Sequence, residues 1–208
     1  ANSAALAAPA VVAAAVATGT DVLVNGGFEA QVISGNSVNR NAGSSALTGW
    51  TIGGNSIDQI RDFWAPAEGA QSIDLDGDKP GAISQMVATE PGRSYTLSFK
   101  YSAHPDLGGT PASMAMKWGA TTENFTFTGK SSKSDMGWIT VERTVTAASA
   151  STELSFTSLN GKNNKYGNAL DAVSVKALPY LAAPSLIRAV ATGGTGALLI
   201  GRIDGAAS

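Results

Sequence analysis

From Gly49 to Val175 the chain is a succession of short segments in which apolar and polar residues alternate. Gly, Asn, Ser and Pro punctuate them, and no stretch of useful length repeats at the helical period. Gln71-Ser72-Ile73-Asp74-Leu75 places Ile73 and Leu75 on one side, and Tyr95, Leu97, Phe99 and Tyr101 share a face of a strand over 94–102. Half-apolar strands bury their apolar faces only against a second layer, so the pattern predicts an all-β sandwich. Expected strands are 22–24, 49–52, 56–60, 71–75, 82–87, 94–102, 113–118, 123–128, 138–145, 153–159 and 169–175. Gly53-Gly54-Asn55 predicts a hairpin between 49–52 and 56–60, and 31–48, rich in Asn, Ser and Gly, reads as loop.

A chain of 208 residues suits one such domain. With 14% charged residues and a net charge of −2, it offers no field that would attract nucleic acid or an anionic membrane. Zero cysteines exclude disulfides, thiolate metal sites and thiol catalysis. The small-apolar run at 4–17 is too short and Ala-rich to span a bilayer. Residues 1–20 are expected to be a signal-peptide-like segment, cleaved after Ala15 or Ala17, with an Ala-rich packed helix as the alternative. This division leaves a domain at 21–176 and a tail at 177–208, which loosely matches a degenerate sorting or anchor segment. Location outside the cell or on its surface is expected, with a bacterial source and no transmembrane domain.

Several stretches carry a family likeness: Asn25-Gly26-Gly27-Phe28-Glu29, Gly49-Trp50-Thr51-Ile52, the run from Trp64 to Gln85, Pro91-Gly92-Arg93-Ser94-Tyr95-Thr96-Leu97-Ser98-Phe99, and Ala169-Leu170-Asp171-Ala172-Val173-Ser174-Val175. In this order they resemble the bacterial choice-of-anchor C family, itself similar to the plant cell-wall domain of unknown function 642. Both resemble the galactose-binding-like jelly roll. The resemblance covers roughly residues 22–176. It implies an exported jelly-roll β-sandwich of the carbohydrate-binding-module type, a surface or cell-wall location, and glycan binding without catalysis. The family's usual sorting signal is not recognisable after Val175.

Jelly rolls of this kind hold a calcium ion with a first-strand Glu, a last-strand Asp and backbone carbonyls, so the resemblance implies one structural calcium at Glu29 and Asp171. The alternative is that Glu29 is an exposed turn carboxylate and Asp171 caps a turn. Asp74, Asp76 and Asp78 lack the downstream Glu of a calcium loop and read as a turn with solvated carboxylates. For a sugar, a loop tryptophan supplies a stacking face. Trp50 and Trp138 open strands and read as packing, while Trp64 lies in a loop. With Arg61, Asp62, Gln71 and Tyr101 it is the expected ligand patch, against a plug folded over the sandwich. His104, the one histidine, reads as an exposed or binding-loop residue. No nucleophile elbow or zinc pair accompanies it. A carboxylate-based glycosidase among Glu29, Glu68, Asp58, Asp74 and Asp171 stays formally open, as does a structural matrix protein with protein partners. The leading reading is a non-catalytic module for cell-surface or extracellular polysaccharide.

Overall fold

The computed structural model describes residues 18–162 and 164–179. The expected leader and tail fall almost wholly outside them. Alternation becomes two antiparallel sheets: β1 Ser37–Asn41, β2 Thr51–Gly54, β3 Ser56–Ile60, β4 Ser72–Asp74, β5 Gly81–Ala88, β6 Ser94–Ala103, β7 Ala112–Trp118, β8 Thr121–Phe127, β9 Ile139–Thr146, β10 Ser151–Ser158 and β11 Asn168–Ala177. One sheet runs β1-β3-β4-β11-β6-β9 and the other β2-β5-β10-β7-β8. The only helical turn among the described residues is a 3-10 turn at Pro105–Leu107. This is the expected jelly-roll sandwich.

The main core lies between the sheets. Tyr95, Leu97, Phe99 and Tyr101 of β6 meet Phe125 of β8 and Phe156 of β10, with ring centroids 5.2 Å from Phe99 to Phe125 and 5.0 Å from Phe99 to Phe156. Each such ring contributes roughly 1.5–3 kcal/mol by leaving water. A second, smaller cluster sits on the outer face of the six-stranded sheet, where Ile60, Trp64, Met136 and Ala169 are covered by Phe63 and Trp138.

Three local expectations need correction. Gly53-Gly54-Asn55 is no hairpin, because β2 pairs with β5 while β3 pairs with β1 and β4. Gly54 turns the chain from one sheet to the other at φ +66°, and a Cβ there would stand 2.8 Å from the Gly81 Cα. Residues 37–41 form edge strand β1 instead of loop; only one side of an edge strand is paired, and this one is short and polar. Residues 22–24 form no regular strand. Val22 N–H donates to Val175 O, and the Gln85 side-chain amide takes both backbone groups of Val24. The first segment nevertheless lies against the last strand, through the Asp21–Lys176 bridge.

Candidate functional site

Glu29 and Asp171 are brought together by the loop between β3 and β4. Asp171 Oδ2 accepts the N–H groups of Ala67 (2.8 Å) and Glu68 (3.0 Å), and its Oδ1 accepts that of Ala172 (2.6 Å). Glu29 Oε1 accepts those of Ala70 (2.7 Å) and Gln71 (2.8 Å). Two carboxylates thus clasp one loop from opposite ends. Ala172 sits at φ 51°, where the β11 register shifts, and this irregularity lies beside the Asp171 carboxylate. Burial pushes Asp171 up to about 7 against these hydrogen bonds, and the Glu29 charge adds to the rise.

These two carboxylates fit a calcium ion in charge. A dication would offset the burial penalty and the Glu29 repulsion that together raise Asp171, and Glu29 Oε2 accepts no hydrogen bond among the described residues. Five N–H groups already hold three of the four oxygens, so the ion would share them and draw its remaining ligands from backbone carbonyls.

The outer face of the six-stranded sheet carries the second constellation. Asp58 stands opposite Asp74 across β3 and β4, and Asp74 stands opposite Ala169 of β11. Asp74 Oδ1 accepts the N–H groups of Asp76 (2.9 Å) and Gly167 (3.1 Å). Gly167 is required there, since a Cβ would fall 2.6 Å from the Asp76 Cγ and 2.8 Å from the Asp74 Oδ1. Asp76 accepts from the Asn160 amide at 3.0 Å through Oδ2, with the Ser158 hydroxyl also near enough to lower its pKa, while its buried Oδ1 meets no hydrogen-bond geometry among the described residues. Burial, with the charges of Asp76 and Asp58, pushes Asp74 well above the carboxylate range, against the N–H bonds that pull it down. The expectation of solvated turn carboxylates is therefore wrong for Asp74 and Asp76, at 1% and 0% exposure, and right only for Asp78. The 164–167 segment closes over them, and its polar sequence gives no sign of that.

Gly167 also ties this cluster to a group of rings, because its carbonyl accepts the His104 N–H at 2.9 Å. The His104 ring stacks on Tyr166 with centroids 4.3 Å apart and planes at 30°. It lies 5.3 Å from Phe63 and stands edge-on to Trp64 at 5.2 Å. His104 is buried, not the exposed loop residue expected. Burial lowers its pKa to about 4, helped by Lys133 and Lys165 and opposed by Asp106. Its Nδ1 accepts the Asp106 N–H at 3.0 Å, which leaves the proton of the neutral ring on Nε2.

The expected patch around Trp64 is corrected in the same region. Trp64 is 3% exposed, and its indole N–H donates to Ser72 Oγ at 2.8 Å, so it plugs the sheet and offers no stacking face. Gln71 is also buried. Its amide donates to the carbonyls of Phe28 and Gln31 and accepts from the Ile33 N–H. Tyr101 belongs to the main core. Arg61 and Asp62 remain at the surface, 3.8 Å apart, with Arg61 donating to the Ile33 carbonyl at 2.7 Å. The half-buried rings here are Phe63, Trp138 and Tyr166, none of which sequence reasoning singled out as ligand-facing. The one available signal was a lone aromatic inside the polar stretch 160–168.

A family described as a protein of unknown function, DUF642, matches residues 21–176. Halomucin from Haloquadratum walsbyi is 37% identical over 139 residues, 64% of this chain, and the chain spans about 1% of that relative's length. The tandem CBM22-1–CBM22-2 domain of Paenibacillus barcinonensis Xyn10C is similar at a TM-score of 0.53 and 14% identity, over 83% of this chain and 50% of that one. TmCBM61, solved with β-1,4-galactotriose, gives 0.50 and 13% over 76% of this chain and 99% of that one. At such identities the likeness concerns the fold: the sandwich is that of carbohydrate-binding modules. No helix among the described residues is long and apolar enough to cross a membrane. With its matched region spanning the sandwich from the Asp21 bridge to the last residues of β11, the chain belongs to the DUF642 family.

Proposed function

We propose that this protein is an exported, non-catalytic module that binds cell-surface or extracellular polysaccharide, of the choice-of-anchor C type within its broader likeness. The observation that carries the reading is the row of half-buried rings, Phe63 and Tyr166 about His104, on the outer face of the six-stranded sheet. A half-buried ring beside polar groups is an amphipathic contact of the kind recognition sites use. Asp58 and Asn39, joined at 2.8 Å, supply hydroxyl partners at the other end of the same sheet. A glycosidase would need two carboxylates facing an open cleft. Asp74 and Asp76, within this constellation, are buried from solvent. Glu29 and Asp171 would hold a calcium ion whose role is to secure the 67–71 loop and the chain ends, a structural part separate from the sugar surface.

The full chain should be retained on at least one insoluble polysaccharide or glycan of a broad array, and Phe63→Ala/Tyr166→Ala should abolish retention. Failure of the wild type to bind any member of the panel, with and without chelator, would favour a matrix protein with protein partners instead.

A further inference from the structure

Lys133 Nζ lies 3.9 Å from the centre of the Phe63 ring, and Lys165 Nζ lies 5.2 Å from the centre of the Tyr166 ring. Both lysines are exposed, and both bring their charge to His104, which sits between the two rings. Neither has a carboxylate at ion-pair distance among the described residues, whereas Lys117 and Arg143 are matched by Glu153 and Glu123. Local acids are already engaged or fewer. Asp62 faces Arg61, Asp135 accepts the Gly137 N–H at 3.1 Å, and Asp106 alone opposes the two lysines at His104. His104 Nε2–H, the third donor, is given to no acceptor among the described residues. Two ammonium groups and one imidazole N–H therefore edge a ring stack with donors and an excess of positive charge.

We propose that the Phe63–His104–Tyr166 stack with Lys133 and Lys165 binds an acidic polysaccharide, a chain whose uronate carboxylates meet the two lysines held over the Phe63 and Tyr166 rings. A neutral glycan offers hydroxyls to both donors and acceptors and leaves two cations unanswered. A polyuronate supplies a carboxylate for each, and a cation held over a ring needs little reordering to accept it. The inference rests on the polysaccharide-binding reading and narrows it.

The test measures full-chain binding to polygalacturonate and alginate, and to neutral β-1,4-galactan and xylan, by affinity electrophoresis and calorimetry. The expected result is binding to a polyuronate that weakens about tenfold or more in Lys133→Ala/Lys165→Ala and again on raising salt to roughly 0.5 M. The variant's melting temperature should match the wild type, since both lysines are exposed. Retention on neutral glycans alone would overturn the acidic specificity and leave the broader function standing. No retention on any glycan would overturn both. Polyuronate binding that the double variant leaves unchanged would overturn the assignment of the site.

Discussion

Asp171 illustrates what a single side chain does to this molecule. Its folded-state pKa of about 7 lies above the ordinary carboxylate value of 3.8, so folding favours the protonated form. The contribution is present at low pH and is lost as pH rises from the unfolded value through about 7. At ~1.4 kcal/mol per unit it reaches on the order of 4 kcal/mol as an upper bound. Asp74 shifts in the same direction. His104 is lowered to about 4 and works oppositely, losing stability as pH falls from its unfolded value of 6.5. Denaturant titrations from pH 5 to 8 should show stability declining with pH, and Asp171→Asn should flatten that slope. An unchanged slope in the variant would remove Asp171 as its source. Saturating calcium should raise the wild-type melting temperature and leave Asp171→Asn unmoved; a calorimetric scan without a shift would dismiss the ion. Gln71→Ala should cost about 1–3 kcal/mol in denaturant midpoints, because the Ile33 N–H loses its acceptor and the Phe28 and Gln31 carbonyls keep only the Gln59 amide. Sequence pointed to Gln71 as a ligand group because an amide suits a sugar hydroxyl, but backbone groups have the same chemistry and stand nearer.

At the level of the strands, alternation carried most of the information. β5, β7 and β10 bury every other residue, as does β6 as far as Tyr101, and their positions follow from the apolar period. What alternation does not specify is pairing. Gly53-Gly54-Asn55 has good hairpin chemistry, yet the two flanking strands enter different sheets, a choice made by long-range packing of Ile52 and Ile57. Strand β1 lacks an apolar period because both its faces lie at a rim, so its sequence resembles a loop. Ala172 in β11 holds a left-handed conformation that costs a residue with a Cβ roughly 1–2 kcal/mol. Ala172→Gly should therefore raise stability by about 0.5–1 kcal/mol in equilibrium unfolding, after the entropic cost of glycine is offset. A decrease would mean that the Ala172 methyl group packs more than the backbone strains.

At the scale of the molecule, composition and pattern were enough for a two-layer β sandwich, and the family likeness for its type. The candidate site was legible only in part, since Glu29 and Asp171 lie far apart in sequence and meet through a loop that neither belongs to. The outer cluster was legible only as the alternative reading of Trp64 as a plug over the sandwich, because a second hydrophobic layer outside a sheet leaves no periodic trace in a loop. Trp64→Ala should destabilise the fold by about 3–5 kcal/mol, as a cavity in that layer would. A variant that lost glycan retention at unchanged stability would instead make Trp64 a direct contact. The antiparallel seam between residues 19–22 and 175–177 has a mechanical consequence. Among the described residues, tension applied through the two ends would load the Gly19–Ala177 and Thr20–Ala177 bonds first and the Val22–Val175 bond next, peeling them in turn like a zipper. In a single-molecule pulling experiment the seam should yield at low force while the sandwich behind it stays intact, so a stretched chain could lengthen by a small step without disturbing the rings on the outer face of the six-stranded sheet.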